Sequence, residues 1–250
     1  MRTSQHPAPG RAKYRPPPLP GAGSEDIGER YLRWFVELGG LNEDEAVLEP
    51  GCGRGRMAMH LTRYLSASAS YDGFDVVPKA IEWCEENIAS TYPNFRFRHV
   101  DVRNRAYNPA GRLDPEEFEF PYPDESFDFV FLTSVFTHML PPEMRHYLTE
   151  TRRVLRAHGR CLMTFFLINE ESLNAVRAGR SHRRFAHGGD GYLYDVAETP
   201  EAAVAHREEA VLGILEEVGF ELPVPIRYGY WSGRPVEDPG QDIVVVKRPE

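Results

Sequence analysis

The chain has 250 residues and a formal net charge of −9, a size that suits one large α/β domain with elaborations and allows a buried core without metals or cross-links. The acidic balance disfavours a general nucleic-acid binder, which needs clustered Lys and Arg against phosphates, and favours small or neutral ligands. Cys52, Cys84 and Cys161 are odd in number, far apart and without a C-x-x-C pair, so neither a disulfide framework nor a structural zinc site is expected; with no apolar leader or bilayer-length apolar run, the expected setting is cytoplasmic, away from membranes.

Residues 1–23 include Pro16, Pro17, Pro18 and Pro20, a composition of extended, solvated backbone, and are predicted to form a flexible arm. Tyr14 and Arg15 near its end either fold over a ligand or stay solvated. The domain proper is expected over residues 24–250. Ser24 suits the cap of a helix whose stripe is Ile27, Tyr31, Trp34, Phe35 and Leu38, with Gly39 and Gly40 as its stop. Val47 and Leu48 read as the end of a buried strand, followed by Gly51, Gly53 and Gly55 and a helix over residues 57–65. A second strand is expected over residues 71–75, and Pro78 suits the first turn of a helix running to about Ile88.

Alternation over residues 95–102 predicts a third strand. Residues 104–125, rich in Pro, Asp, Glu and aromatics, read as an insertion that is either a functional cover or an elaborated surface. Residues 127–132 are apolar except Asp128, as a central strand buried on both faces requires; Asp128 is expected to satisfy nearby backbone. A helix after Pro141 and Pro142 buries Met144, Tyr147, Leu148 and Val154 and is predicted to stop at Gly159, before a fifth strand over residues 161–168.

Residues 169–198 form a second, polar insertion whose Arg177, Arg180, Arg183 and Arg184 make either a solvated lid or a seat for an anionic ligand group. A helix is predicted from Thr199 and Pro200 to Gly219, then closing strands over residues 220–230 and 241–246. In the turn between them, Tyr230 and Trp231 either wall a ligand or pack beneath the hairpin.

A glycine turn after a strand is a weak signal alone, because dinucleotide and adenosyl cofactors both lie against such bare backbone. Its spacing is more informative. The dinucleotide fingerprint puts its third glycine three residues after the second, whereas Gly55 follows Gly53 by two. Glu49 repels a pyrophosphate and suits the ammonium of an amino-acid moiety, directly or through water. Both features favour S-adenosylmethionine over NAD. Asp75 can accept ribose hydroxyls with either cofactor.

Four pieces together, Val-Leu-Glu-Pro-Gly-Cys-Gly-Arg-Gly at 47–55, Gly-Phe-Asp at 73–75, Asp101 with Val102, and Phe-Asp-Phe-Val-Phe at 127–131, make residues 32–247 resemble a class I S-adenosylmethionine-dependent methyltransferase. The resemblance implies a Rossmann-like α/β fold, with a mostly parallel seven-stranded sheet, flanking helices and a C-terminal antiparallel strand. It places Gly51, Gly53 and Gly55 at the methionine part of the cofactor, Asp75 at the ribose, Asp101 at the adenine amino group and Ser134 near the methyl donor, and Glu49 and Val102 complete the expected cofactor-binding set. The product is then S-adenosylhomocysteine. Pro50 departs from the commoner small or hydrophobic residue and stiffens the turn.

His138 is the candidate general base, since its ordinary pKa lies near neutrality; the alternative is a structural histidine ahead of the next helix. Strand four ends in Leu132, Thr133 and Ser134 rather than acids, and Asn169 with Glu170 do not complete a hard-cation site, so metal-independent transfer is expected. The acceptor reading is a small molecule, a natural product or sugar-like metabolite methylated on oxygen in preference to nitrogen. A peptide or protein acceptor is the alternative, and a non-catalytic adenosyl-ligand-binding scaffold is the alternative of another class.

Overall fold

The strands at the centre of the molecule carry apolar residues on both faces, and alternation sorts those residues into two cores. In the computed structural model, which describes residues 27–189, 191–236 and 240–250, the elements run α1 (Ile27–Glu37), β1 (Ala46–Pro50), α2 (Arg56–Leu61), β2 (Ser70–Asp75), α3 (Pro78–Cys84), β3 (Phe95–His99), β4 (Phe127–Leu132), α4 (Pro141–Val154), β5 (Leu155–Phe165), β6 (Leu167–Ile168), α5 (Glu170–Arg177), β7 (His187–Gly189), β8 (Tyr192–Tyr194), β9 (Val204–Arg207), α6 (Glu208–Val218) and β10 (Asp242–Lys247). The expected proline-rich arm and the Ser24 cap lie outside the described residues. Leu48, Phe74, Val130 and Leu132 pack with Met144, Leu148, Val211 and Leu215 of α4 and α6. Val47, Tyr71, Phe129 and Phe131 pack on the opposite face with Leu32, Phe35, Met57 and Leu61 of α1 and α2.

The main sheet has the order β10-β5-β4-β1-β2-β3, with β10 antiparallel to β5 and the remaining pairs parallel. The chain leaves β1 to build β2 and β3 on one side, then returns to place β4 on the other. The crevice at the strands' C-terminal ends, where the order reverses, is where open α/β sheets bind ligands.

This sheet has six strands rather than the expected seven. Pro223 and Pro225 remove backbone donors from residues 220–230, and only two isolated bridges form there, Glu221 to Lys247 and Arg227 to Ile243. Gly159 does not stop α4. The helix ends at Val154, and Gly159 sits in an irregular stretch of β5 where His158 has φ 63° and the pairing jumps from Phe127–Leu155 to Phe129–Arg160. A Cβ on Gly159 would lie 2.8 Å from the Arg156 carbonyl oxygen, so close backbone approach accounts for the glycine.

Residues 169–198 are more than a polar cover. With β6 and β9 they complete a second, four-stranded sheet of order β6-β9-β8-β7, under which Phe166, Phe185, Ala205 and Trp231 form a small core. The predicted helix from Thr199 is divided accordingly: a short turn at Pro200–Ala202, then β9, then α6. Trp231 packs rather than walls a ligand, being 2% exposed and donating from Nε1 to Asp242 Oδ2 at 2.7 Å. Asp128 satisfies backbone as expected, accepting the Ala46 N–H at 2.9 Å, and also meets Arg156. Among the described residues, no helix is long and apolar enough to cross a membrane.

Candidate cofactor cavity and active site

Beyond β1 the chain turns on glycines with φ of 76° at Gly51, 51° at Gly53 and 65° at Gly55, a region that costs other residues about 1–2 kcal/mol each. Their surroundings differ. A Cβ on Gly51 would lie 2.7 Å from Val135 Cγ2, and one on Gly55 2.5 Å from Ile88 Cδ1, whereas one on Gly53 would meet nothing within 4 Å. Gly51 and Gly55 thus serve packing, and Gly53 presents bare backbone to open space. The Gly53 N–H donates to Asp75 Oδ2 at 2.7 Å while Asp75 Oδ1 accepts the Val77 N–H at 2.9 Å. Asp75 therefore clasps the loop to the end of β2. Burial raises its pKa against the lowering effect of these backbone donors, and each oxygen retains a lone pair for a ribose hydroxyl.

Glu49 is fully enclosed and accepts the Tyr71 hydroxyl. Burial pushes its carboxyl well above the ordinary range, opposed by the Tyr71 hydrogen bond and by nearby Arg56. Further positive charge, such as an ammonium group, would draw it back toward the anion.

These residues open onto a cavity of about 510 Å³, also lined by Val102, Ser134 and His138, within the range of cofactor sites. Gly53's open side, the Asp75 clasp and that volume fit an adenosyl cofactor. Two of the residues expected at the cofactor lie outside the wall: Gly55, packed at the start of α2, and Asp101. The Asp101 carboxylate meets Arg112 Nε at 2.6 Å and Asn108 Nδ2 at 3.2 Å, and the Arg112 contact holds it below the usual range.

Ser134 adopts φ 58°, unusual for a residue with a side chain. Its N–H donates to Thr164 Oγ1 at 2.8 Å, and both hydroxyls donate to Gln241 Oε1, at 3.1 Å from Ser134 and 2.6 Å from Thr164. The ends of β4, β5 and β10 thereby fix one turn at the cavity edge, a place where held strain is common.

His138 closes the short turn Phe136–His138 after β4. Its Nδ1 lies 2.9 Å from the Glu201 carbonyl oxygen; a carbonyl only accepts, so Nδ1 carries the hydrogen and Nε2 presents a lone pair. The Tyr107 hydroxyl donates to Nε2 at 3.2 Å, its ring standing edge-on to the imidazole. Burial lowers the His138 pKa, and Arg183 lowers it further, so the ring is neutral at pH 7. Asn104 also donates to the His138 carbonyl oxygen at 2.9 Å. The 104–125 insertion therefore reaches the candidate base as well as the surface.

Sequence reasoning missed Tyr107, Glu143, Tyr147 and Gln241 in this wall. Glu143 caps the start of α4, where Oε2 accepts the Leu140 N–H at 2.8 Å. Burial is the main cause that pushes its carboxyl up to about 7, with Glu201, Glu116 and Asp114 adding repulsion. With Leu140 in place of the Ser or Thr of a capping box, neither this cap nor the use of Glu143 as a cavity wall was legible in the sequence. Asn169, weighed as a metal ligand, caps α5 instead by accepting the Ser172 N–H at 3.0 Å.

The six-stranded sheet with a glycine turn and acid clasp at its switch point defines a Rossmann-like nucleoside-cofactor domain. Residues 47–159 match the family model described as a methyltransferase domain. The 27-O-demethylrifamycin SV methyltransferase of Amycolatopsis mediterranei (strain S699) is 30% identical over 128 residues, 51% of this chain and 41% of that protein. The chain spans less than half the length of the curated relatives it matches, 41% and 47%. A solved S-adenosylmethionine-dependent methyltransferase from Methanosarcina mazei shares the fold with a TM-score of 0.57 at 20% identity, over 86% of this chain and 97% of that one. So does the Burkholderia thailandensis 1,6-didemethyltoxoflavin-N1-methyltransferase, solved with 1,6-didemethyltoxoflavin and S-adenosylhomocysteine, with a TM-score of 0.56 at 16% identity over 90% and 80% of the two chains. Residues 47–159 are thus similar to a methyltransferase domain, and the chain has the fold of solved S-adenosylmethionine-dependent methyltransferases.

Proposed function

We propose that this protein catalyses methyl transfer from S-adenosylmethionine to a small-molecule acceptor, on oxygen in preference to nitrogen and without a metal, leaving S-adenosylhomocysteine. The observation that carries the reading is one cavity wall holding both the Gly53–Asp75 clasp and a neutral histidine with its lone pair at Nε2. Two small molecules in the names of similar proteins support the acceptor class; the name of the one more similar in sequence puts the missing methyl on oxygen and the other on nitrogen.

When bound, S-adenosylmethionine supplies an electrophilic methyl group. Gly53 admits it by lacking a Cβ, Asp75 offers acceptor lone pairs to its ribose, and Glu49 gives its ammonium a negative partner. Ser134, pinned by Thr164 and Gln241, gives the acceptor side a fixed edge, which matters because alignment supplies much of the rate of such a displacement. His138 Nε2 receives the proton of an acceptor hydroxyl, whose approach replaces the long Tyr107 contact. The Glu201 carbonyl holds Nδ1–H and so fixes the tautomer through the transfer.

The test is calorimetric titration with S-adenosylmethionine, S-adenosylhomocysteine and NAD at matched ionic strength, then a compound screen with radiolabelled donor. Saturable binding of the adenosyl ligands without NAD is expected, with label passing to small hydroxylated molecules. Binding of NAD alone, or label confined to peptides, overturns the cofactor or acceptor reading respectively.

A further inference from the structure

The family pattern gives the cofactor's 6-amino group to the acid after the third strand, here Asp101. In this chain the 104–125 insertion has taken that side chain for itself. Arg112 holds Oδ2 and Asn108 holds Oδ1, and the Asp101 carbonyl accepts the N–H groups of Arg112 and Leu113. The carboxylate braces the insertion and is absent from the cavity wall, whereas its neighbour Val102 lines it.

Three carboxylates among the described residues do line that wall: Glu49, Asp75 and Glu143. The first two are engaged at the glycine-loop end, by Tyr71 and by the amides of Gly53 and Val77. Glu143 shares that wall with Val102, the residue after Asp101. Val102 bridges to Leu113, and the following Asp114 and Glu116 are near enough to repel the Glu143 charge. Pro115 and Tyr147 share the wall with it. Its Oε2 is used on the Leu140 N–H, and the carboxylate makes no other hydrogen bond among the described residues. A carboxylate with spare acceptor capacity, in a wall that also includes apolar Phe74 and Val102, suits a flat ring that carries an N–H donor. A 6-aminopurine supplies that donor and a 6-oxopurine presents an oxygen instead.

We infer that Glu143, rather than Asp101, reads the 6-amino group of the cofactor's purine and makes the site selective for adenosyl over inosyl ligands. This rests on the proposed use of an adenosyl cofactor. The test titrates the full chain with S-adenosylhomocysteine and with S-inosylhomocysteine, its 6-oxo counterpart, for the wild type, Glu143→Gln and Asp101→Asn. At pH 8.5, above the value of about 7 to which burial pushes Glu143, the wild type should prefer the adenosyl ligand by about tenfold to a hundredfold, the scale of a hydrogen bond to a charged group.

Asp101→Asn should keep that preference. In Glu143→Gln the capping bond keeps the amide oxygen on Leu140, as glutamine also caps helices. Its NH₂ then faces the cavity, and the preference should collapse or invert. Glu143→Asp, one methylene shorter, should lose most of the selectivity as well, which keeps the test open if the glutamine variant folds poorly. Selectivity lost in Asp101→Asn and kept in the Glu143 variants overturns the inference, as does selectivity unchanged in all variants. Adenosyl binding without selectivity in the wild type sinks the inference alone; no binding of either ligand sinks the cofactor reading and this inference with it.

Discussion

Gly53 separates ligand binding from folding more cleanly than its neighbouring glycines, because a side chain there meets no protein atom. Gly53→Ala should cost about 1–2 kcal/mol of stability through its positive φ alone, and should weaken S-adenosylhomocysteine binding at least about tenfold by filling ligand space. Gly55→Ala should instead lose stability first, since its Cβ meets Ile88. Denaturant melts beside calorimetry distinguish the two. At His138, burial lowers the pKa, so the acid limb of kcat/KM should lie below about 6.5, the ordinary histidine value. Glu143 titrates up to about 7 in the same cavity; the limb belongs to His138 only if His138→Ala removes it while S-adenosylhomocysteine still binds. Gly51, Gly53, Asp75 and His138 could be placed at the cavity from the sequence because each stands beside a strand end with a recognisable turn, whereas Gly55 packs on Ile88 outside the wall. Tyr107 was not, because its partner lies 31 residues away and no spacing rule joins an insertion to a turn.

Elements were legible where one face or both are uniformly apolar, as in β4 and α4, and illegible where partners are short or remote. β7 and β8 have three residues each, too few for alternation to register, and they exist because β9 offers a paired edge. What joins the second sheet to the first is Asp242 at the start of β10. It is completely buried and accepts from Gly229 N at 2.8 Å, Leu167 N at 2.7 Å and Trp231 Nε1 at 2.7 Å. Asp242→Asn replaces one acceptor oxygen with a donor facing N–H groups. The expected loss is about 1–3 kcal/mol for each donor left unsatisfied, read from denaturant melts. Hydrogen exchange should quicken at Leu167 and Gly229 and stay unchanged at Val47 in β1. Uniform quickening across both sheets would show that the second sheet has no separate stability of its own.

At the scale of the whole molecule, burial acts on both signs of ionisable group, and the response of stability to pH follows from their opposition. Burial pushes Asp242 up to about 6; its folded pKa exceeds its unfolded one, so its contribution is present at low pH and is lost as pH rises from about 4 to 6. His206 behaves inversely. It is enclosed with Nε2 donating to the Phe136 carbonyl oxygen at 2.9 Å and Nδ1 without a hydrogen-bond partner among the described residues, and burial lowers it to about 4. Its contribution is present above about 6.5, the ordinary value, and is lost as pH falls toward 4. No charged neighbour enters the causes of that shift, so the histidine can be isolated by difference. His206→Gln keeps an N–H for Phe136 and cannot ionise. The stability of the wild type minus that of the variant should therefore fall by about 2–3 kcal/mol between pH 7 and 4.5, the linkage expected for a shift of this size. Urea melts at the two pH values measure it, and the acids cancel because both proteins carry them. A difference that stays flat would mean that His206 is hydrated or mobile enough to protonate in place, and that the seam between β9 and the turn after β4 is looser than its packing against Phe165 implies.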